Sequence, residues 1–220
     1  MGYFRELPNI SAVSLLPGRT RSDERVTVKN IFKRAKLRTD VDSAITAFDF
    51  RVIKENERPD TIANIVYGDP ELDYIILITN NIIDVRSQWP LSNRDLYNYM
   101  LDKYGSDAAL QEVHHYETIE VRDDNNRTVL EGGLIVDEDF TFEYTSLDGK
   151  LIQVTNPAGP VTNFTYETLQ NDAKRVIRIL KVEFVSAFVS DMRKMMKYET
   201  SSQYINRTTK AAYNPREFGV

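Results

Sequence analysis

Between Arg58 and Asn81 the sequence reads RPDTIANIVYGDPELDYIILITNN, and few folds can accommodate it. Pro59 suits the first turn of a helix, where its missing N–H would be unpaired in any case. Ile62, Ala63, Val66 and Tyr67 then give that helix one apolar stripe, and Gly68 stands where a left-handed C-cap residue is wanted. Asp69 and Pro70 start a second helix as cap and first residue, with Leu72, Ile75, Ile76 and Thr79 facing inward. Asn80 and Asn81 stop it. Two short helices joined by so tight a break must share one small core, and the neighbouring segments follow from that.

Before the helices, FDFRVIK (Phe48 to Lys54) alternates as a half-buried strand, with Phe48, Phe50 and Val52 on one face. After them, IIDVRSQWPLS reads as an extended return, and a helix capped by Ser92 carries Leu96, Tyr99 and Met100. Trp89, the single tryptophan, is followed by Pro90 and reads as a lid on the core rather than a stacking platform. Residues 47–105 therefore form the first compact expectation. Residues 1–46 read as an N-terminal arm, interrupted by Pro8, Pro17 and Gly18, with a polar loop over Gly18–Arg25 and a short helix around Ile31, Phe32 and Ala35. Tyr3 and Phe4 have no local partner there, so the arm is expected to lie across its own body or a neighbouring chain.

Residues 106–163 read as hairpin-rich. Two strands flank a polar turn at Asp123–Asn126, and a second hairpin turns at Asp148-Gly149. Residues 164–220 read as a helical segment and a polar tail. Within it, Leu169 to Met192 keep helical spacing while RVIRILK also alternates, so one helix and helix–strand–helix both stand. The fold class is α+β: a small βααβ domain, a β-hairpin-rich segment and a C-terminal helical segment, flanked by extended arms.

The chain has 220 residues, 41% hydrophobic and 28% charged, which suits a soluble globular protein. A net charge of −5 supplies no basic field for nucleic acid or an anionic membrane, although KNIFKRAKLR (Lys29–Arg38) is a local basic run. The absence of cysteine excludes disulfides and thiolate metal sites and suits a reducing cytoplasm. MGYFRELPNI reads as neither a secretory signal nor a myristoylation site, and YIILI is too short to span a bilayer.

No catalytic constellation assembles, so no enzyme, cofactor or metal is expected. His114 and His115 are adjacent, and on a strand they would point to opposite faces. DDNN and VDEDF lack the ligand spacing of a calcium loop, and no phosphate-binding glycine loop occurs.

FRVIKENERPDTIANIVYGDPELDYIILITNNI resembles a LysM module, a two-stranded sheet with two helices on one face, many examples of which bind N-acetylglucosamine polymers. Where sugar-binding modules carry a Gly-Asp-Thr loop, this chain has Asn56, Glu57 and Arg58. That departure counsels protein contact over glycan contact. The chain as a whole resembles the LysM-containing baseplate wedge proteins of contractile-tailed bacteriophages. The resemblance rests on YF and LP near the start, VKNIFKR, the Arg58–Asp84 stretch, QWPLS, YMLDKYG, HHYE and NDAKRVIRILK in order. Val182 follows Lys181 where a proline would have split strand from helix cleanly.

The resemblance implies a structural protein of the virion tail baseplate, assembled in the host cytoplasm, that bridges wedge subunits around the hub. Its implied partners are other wedge proteins, including those of adjacent wedges, in multiple copies of a six-fold assembly. The alternative is a LysM-type glycan binder. Partner-contact candidates are Tyr3, Phe4, Pro8, Ile31, Phe32, Arg34, Arg58, Tyr204 and Tyr213. The LysM-like core is assigned to Ile62, Ala63, Val66, Tyr67, Gly68, Ile75, Ile76, Asn81 and Trp89.

Overall fold

A computed structural model describes residues 2–14 and 24–212; Tyr213 and most of the Gly18–Arg25 loop lie outside them. In chain order come α1 (Tyr3–Glu6), β1 (Asn9–Val13), β2 (Arg25–Lys29), α2 (Thr39–Asp42), β3 (Phe48–Val52), α3 (Pro59–Tyr67), α4 (Asp73–Thr79) and α5 (Val85–Gln88). They are followed by α6 (Asn93–Tyr104), α7 (Asp107–Leu110), β4 (Val113–Thr118), β5 (Val121–Arg122), β6 (Thr128–Leu130), β7 (Ile135–Val136), β8 (Phe142–Thr145), β9 (Leu151–Val154) and β10 (Ala158–Thr162). The last are α8 (Asn163–Ala173), β11 (Val176–Leu180), α9 (Val182–Met195), β12 (Tyr204–Asn206) and β13 (Thr209–Ala211). The protein is α+β. Its chain divides into two compact units, one of residues 1–89 with 176–220, the other of residues 90–175.

In the first unit the helix signals act as their chemistry requires. Pro59 opens α3, and Gly68 closes it at φ +72°, its N–H donating to the Asn64 carbonyl. The Asp69 side chain accepts from the Glu71 N–H at the head of a 3₁₀ turn, Pro70–Leu72, that leads into α4. Ile62, Ala63, Ile75 and Ile76 are fully buried, while Val66 and Tyr67 pack partly buried beside them.

The partner strand of β3 differs from expectation. β11 pairs antiparallel with β3, Leu180 opposite Phe48 and Val176 opposite Val52. The IIDVRSQW stretch instead turns through α5, because the Asp84 side chain caps it and accepts from the Arg86 N–H. Asn80, at the end of α4, fixes β11 from its outer side: its side chain donates to the Arg178 carbonyl and accepts from the Arg178 N–H, each at 2.8 Å. The C-terminal segment is thus helix–strand–helix, with Lys181 breaking the run in extended conformation. Only Phe48 of the alternating triplet is buried; Phe50 and Val52 are exposed. The buried phase is carried by Ile53, Ile177 and Ile179 against α3 and α4.

The two ends of the chain, read as arms, carry paired strands. β1 pairs parallel with β13 and antiparallel with β2 in a four-stranded sheet of order β12-β13-β1-β2. Residues 31–37 form no helix, yet Leu7, Ala35 and Leu37 enter the same core as Ile75, Leu180 and Met192.

In the second unit, Ser92 caps α6 by accepting from the Asp95 N–H, and Leu96, Met100 and Leu110 form its core. Tyr99, expected on that stripe, is exposed. Buried Asn171 on α8 exchanges two hydrogen bonds with the Leu91 backbone, and buried Glu167 takes Lys103 and the Tyr104 hydroxyl. These satisfied polar contacts fix α8 against α6 where apolar side chains are few. The sheet order is β10-β4-β7, with β5-β6 and β8-β9 as separate hairpins.

Candidate interaction surfaces

Four of the contact candidates meet in one place. Tyr3, Phe4, Ile31 and Arg34 line an open groove of about 680 Å³ in the first unit, together with Leu77, Ile78, Ile82 and Ile83. Tyr3 anchors the N-terminal side: its ring lies 5.5 Å from that of Tyr74, and its hydroxyl accepts from the Ala35 N–H at 3.2 Å. That contact leaves neighbouring Phe4 69% exposed beside Ile31 and Ile83, which are 67% and 70% exposed. Arg34 donates to the Asn81 side chain at 3.1 Å, and Asn81 turns the chain at φ +54° toward Ile82.

Carboxylates stand at the other side of the groove. Burial raises the Asp73 carboxyl above its ordinary range; the Tyr74 N–H opposes this and nearby Asp60 adds to it. Asp60 Oδ1 is 3.2 Å from Arg58 Nε, an ion pair without hydrogen-bond geometry. Burial also pushes the Tyr74 hydroxyl up to about 12, so it stays a neutral part of the wall. The surface is apolar with a charged border, as protein-docking patches are.

The other candidates lie elsewhere. Phe32 is exposed outside the groove residues, and Pro8 is buried, its carbonyl accepting from the Asn30 N–H. Tyr204 is half-buried on the outer strand β12. Arg58 points outward from a loop braced from beneath. There Asn56 takes φ +59°, Glu57 accepts from Arg51 and from the Lys54 N–H, and the Glu57 carbonyl accepts from Trp89 Nε1 at 2.9 Å. Trp89 itself is only 8% exposed, packed in the core of Ile53, Ile62 and Ile177. Ile82, Ile83 and Asp73 went unmarked in the sequence. The apolar pair directly after Asn81 was the available signal.

The histidines do not diverge as expected for strand neighbours. His114 Nδ1 and His115 Nδ1 are 2.8 Å apart, His115 Nε2 is 2.7 Å from Glu117 Oε1, and His114 stacks on Tyr166 at 4.0 Å. The backbone irregularity at Val161/Thr162 opposite this end of β4 accompanies the departure from strict alternation. Among the described residues no group of acidic, histidine or cysteine side chains could hold a metal ion. No helix among them is long and apolar enough to cross a membrane.

Comparison with known proteins gives the family. The family described as base plate wedge protein 53 matches residues 18–195. The chain belongs to that family. Baseplate wedge protein gp53 of Enterobacteria phage T4 is 28% identical over 183 residues, covering 77% of this chain and 80% of that protein. The family match spans residues of both units, including the groove residues Ile31, Arg34, Asp73 and Ile83. Tyr3, Phe4 and Tyr204 fall outside it.

Proposed function

We propose that this protein is a non-enzymatic structural component of the virion tail baseplate that bridges neighbouring wedge subunits as the baseplate closes around its hub. Membership of the baseplate wedge family supports the structural role. The observation that carries the bridging role is the groove. Phe4, Ile31 and Ile83 leave their apolar side chains in solvent around a recess walled by buried Tyr74 and Ile78, a cost that a protein partner relieves. The βααβ elements β3, α3, α4 and β11 serve as a LysM-like scaffold that holds this groove. The loop at Asn56–Arg58 and the buried Trp89 weigh against glycan binding, because the indole face is unavailable to a sugar ring.

The test is assembly of wedges into baseplates in vitro, followed by electron microscopy, with Phe4→Ser and Ile83→Ser together. Both side chains are exposed, so circular dichroism is expected to stay native while wedge joining falls. Normal assembly with the double variant rejects the groove as the bridging surface. Calorimetric binding of N-acetylglucosamine oligomers would favour the glycan reading instead.

A further inference from the structure

Two surface clusters carry an excess of one charge, the lysine one with Glu199 and Glu6 nearby. In the first unit, Lys33 and Lys210 both stand over the ring of Tyr198, their amines 4.9 and 5.5 Å from its centre. Lys33 also donates to the Lys197 carbonyl at 2.7 Å, and Lys197 and Lys29 line one cleft of about 370 Å³. Burial lowers the Lys33 amine from its ordinary value and the neighbouring Lys210 lowers it further, while Glu199 nearby opposes them. Among the described residues none of these four lysines has a carboxylate ion-pair partner, and the hydrogen bonds that Lys29 and Lys33 donate go to carbonyls. An excess of cations gathered in this way favours an anionic partner.

In the second unit the counterpart is the β8–β9 hairpin with the turn before it. Residues 137–150 hold five carboxylates, Asp137, Glu138, Asp139, Glu143 and Asp148, against Lys150 alone. All five are exposed, and none has a cationic partner among the described residues. Among the described residues the hairpin joins no third strand. Phe142 and Tyr144 are half-buried along one of its faces, opposite Val154 and Ile152, while Leu147 and Leu151 are 61% and 68% exposed. A two-stranded ribbon is marginal in water by itself and gains most from a surface that covers it.

We propose that the lysine patch around Tyr198 is a docking site for the acidic β8–β9 ribbon of a second copy of this chain. The contact is heterologous, joining different surfaces of the two copies, so it can propagate into a chain or a ring. It goes beyond the bridging role proposed above and does not depend on it. Self-association of the isolated chain can fail while groove-dependent wedge assembly succeeds.

Sedimentation velocity of the full chain over a range of concentrations tests the contact at about 0.05 M and about 0.5 M sodium chloride, where the screening length falls severalfold. Association that weakens at high salt is expected. Lys33→Glu with Lys210→Glu should abolish it, as should Asp137→Lys with Asp139→Lys. An equimolar mixture of the two reversed variants should associate again, because the reversed patch then meets the reversed ribbon. Native circular dichroism is checked for each variant. Lys197→Glu with Lys210→Glu replaces the first pair if loss of the Lys33 hydrogen bond disturbs folding. A chain that stays monomeric throughout, association indifferent to salt and reversal, or a mixture that remains monomeric each overturns the proposal.

Discussion

Thr79 shows how a single atom can be out of balance in a packed core. It is 1% exposed on the last turn of α4, and its hydroxyl oxygen is buried without a hydrogen-bond partner among the described residues. A buried hydroxyl left unsatisfied costs on the order of 1–3 kcal/mol. Thr79→Val keeps the branched shape and removes the orphan atom, so it is expected to raise stability by roughly 1 kcal/mol or more in urea titration. Destabilisation would mean that the hydroxyl is bonded after all. Trp89 is the opposite case, since its N–H is satisfied by the Glu57 carbonyl while its ring fills the core. The residue is 8% exposed, beside a proline at the chain exit. The sequence could not reveal that the loop it braces would turn Glu57 inward, toward Arg51.

Local signals survive at the level of elements, while long-range pairings do not. The starts at Pro59 and Pro70, the stop at Gly68 and the Ser92 cap were legible because each acts within a turn of its own residue. The partner of β3 was not, because β11 is distant in sequence and its alternation also satisfied a helical period. The same limit hid the fate of the chain ends. No local pattern announces that β1 lies between β13 and β2, or that Leu7 is 3% exposed in the core. With Leu7, Ala35 and Leu37 buried against Ile75 and Met192, deletion of residues 1–40 should destabilise the first unit. Leu7→Ala alone is expected to cost about 2–5 kcal/mol. Hydrogen exchange would follow this as lost protection in β12 and β13, and unchanged protection would return the segment to the status of an arm. The junction of β11 and α9 offers the converse. Lys181 is extended at φ −62° and ψ 144°, and Val182 is the exposed first residue of α9. A proline fits there without strain, so Val182→Pro should stabilise by about 0.4–1 kcal/mol in the same titration.

The whole molecule is built by interrupting one unit with another. The chain leaves the first unit after Trp89 and re-enters at Val176, where β11 completes the two-stranded sheet with β3. The first unit therefore cannot finish its core until the second has been synthesised, since Leu180, Phe188 and Met192 all follow the insertion. The second unit, by contrast, closes its own small core of Leu96, Met100 and Leu110 from contiguous chain. Each has a separate core, so heat should unfold them in separable steps, and a single two-state transition should fail the calorimetric test. Ile75→Ala, at a fully buried position of the first unit, is expected to lower one transition by an amount equivalent to about 2–5 kcal/mol. Met100→Ala, at a position 1% exposed in the second, should lower the other and leave the first in place. Scanning calorimetry of the two variants decides the matter. If either substitution moves both transitions together, the two cores unfold as one cooperative body. The insertion would then be a structural part of the first unit rather than a module carried by it.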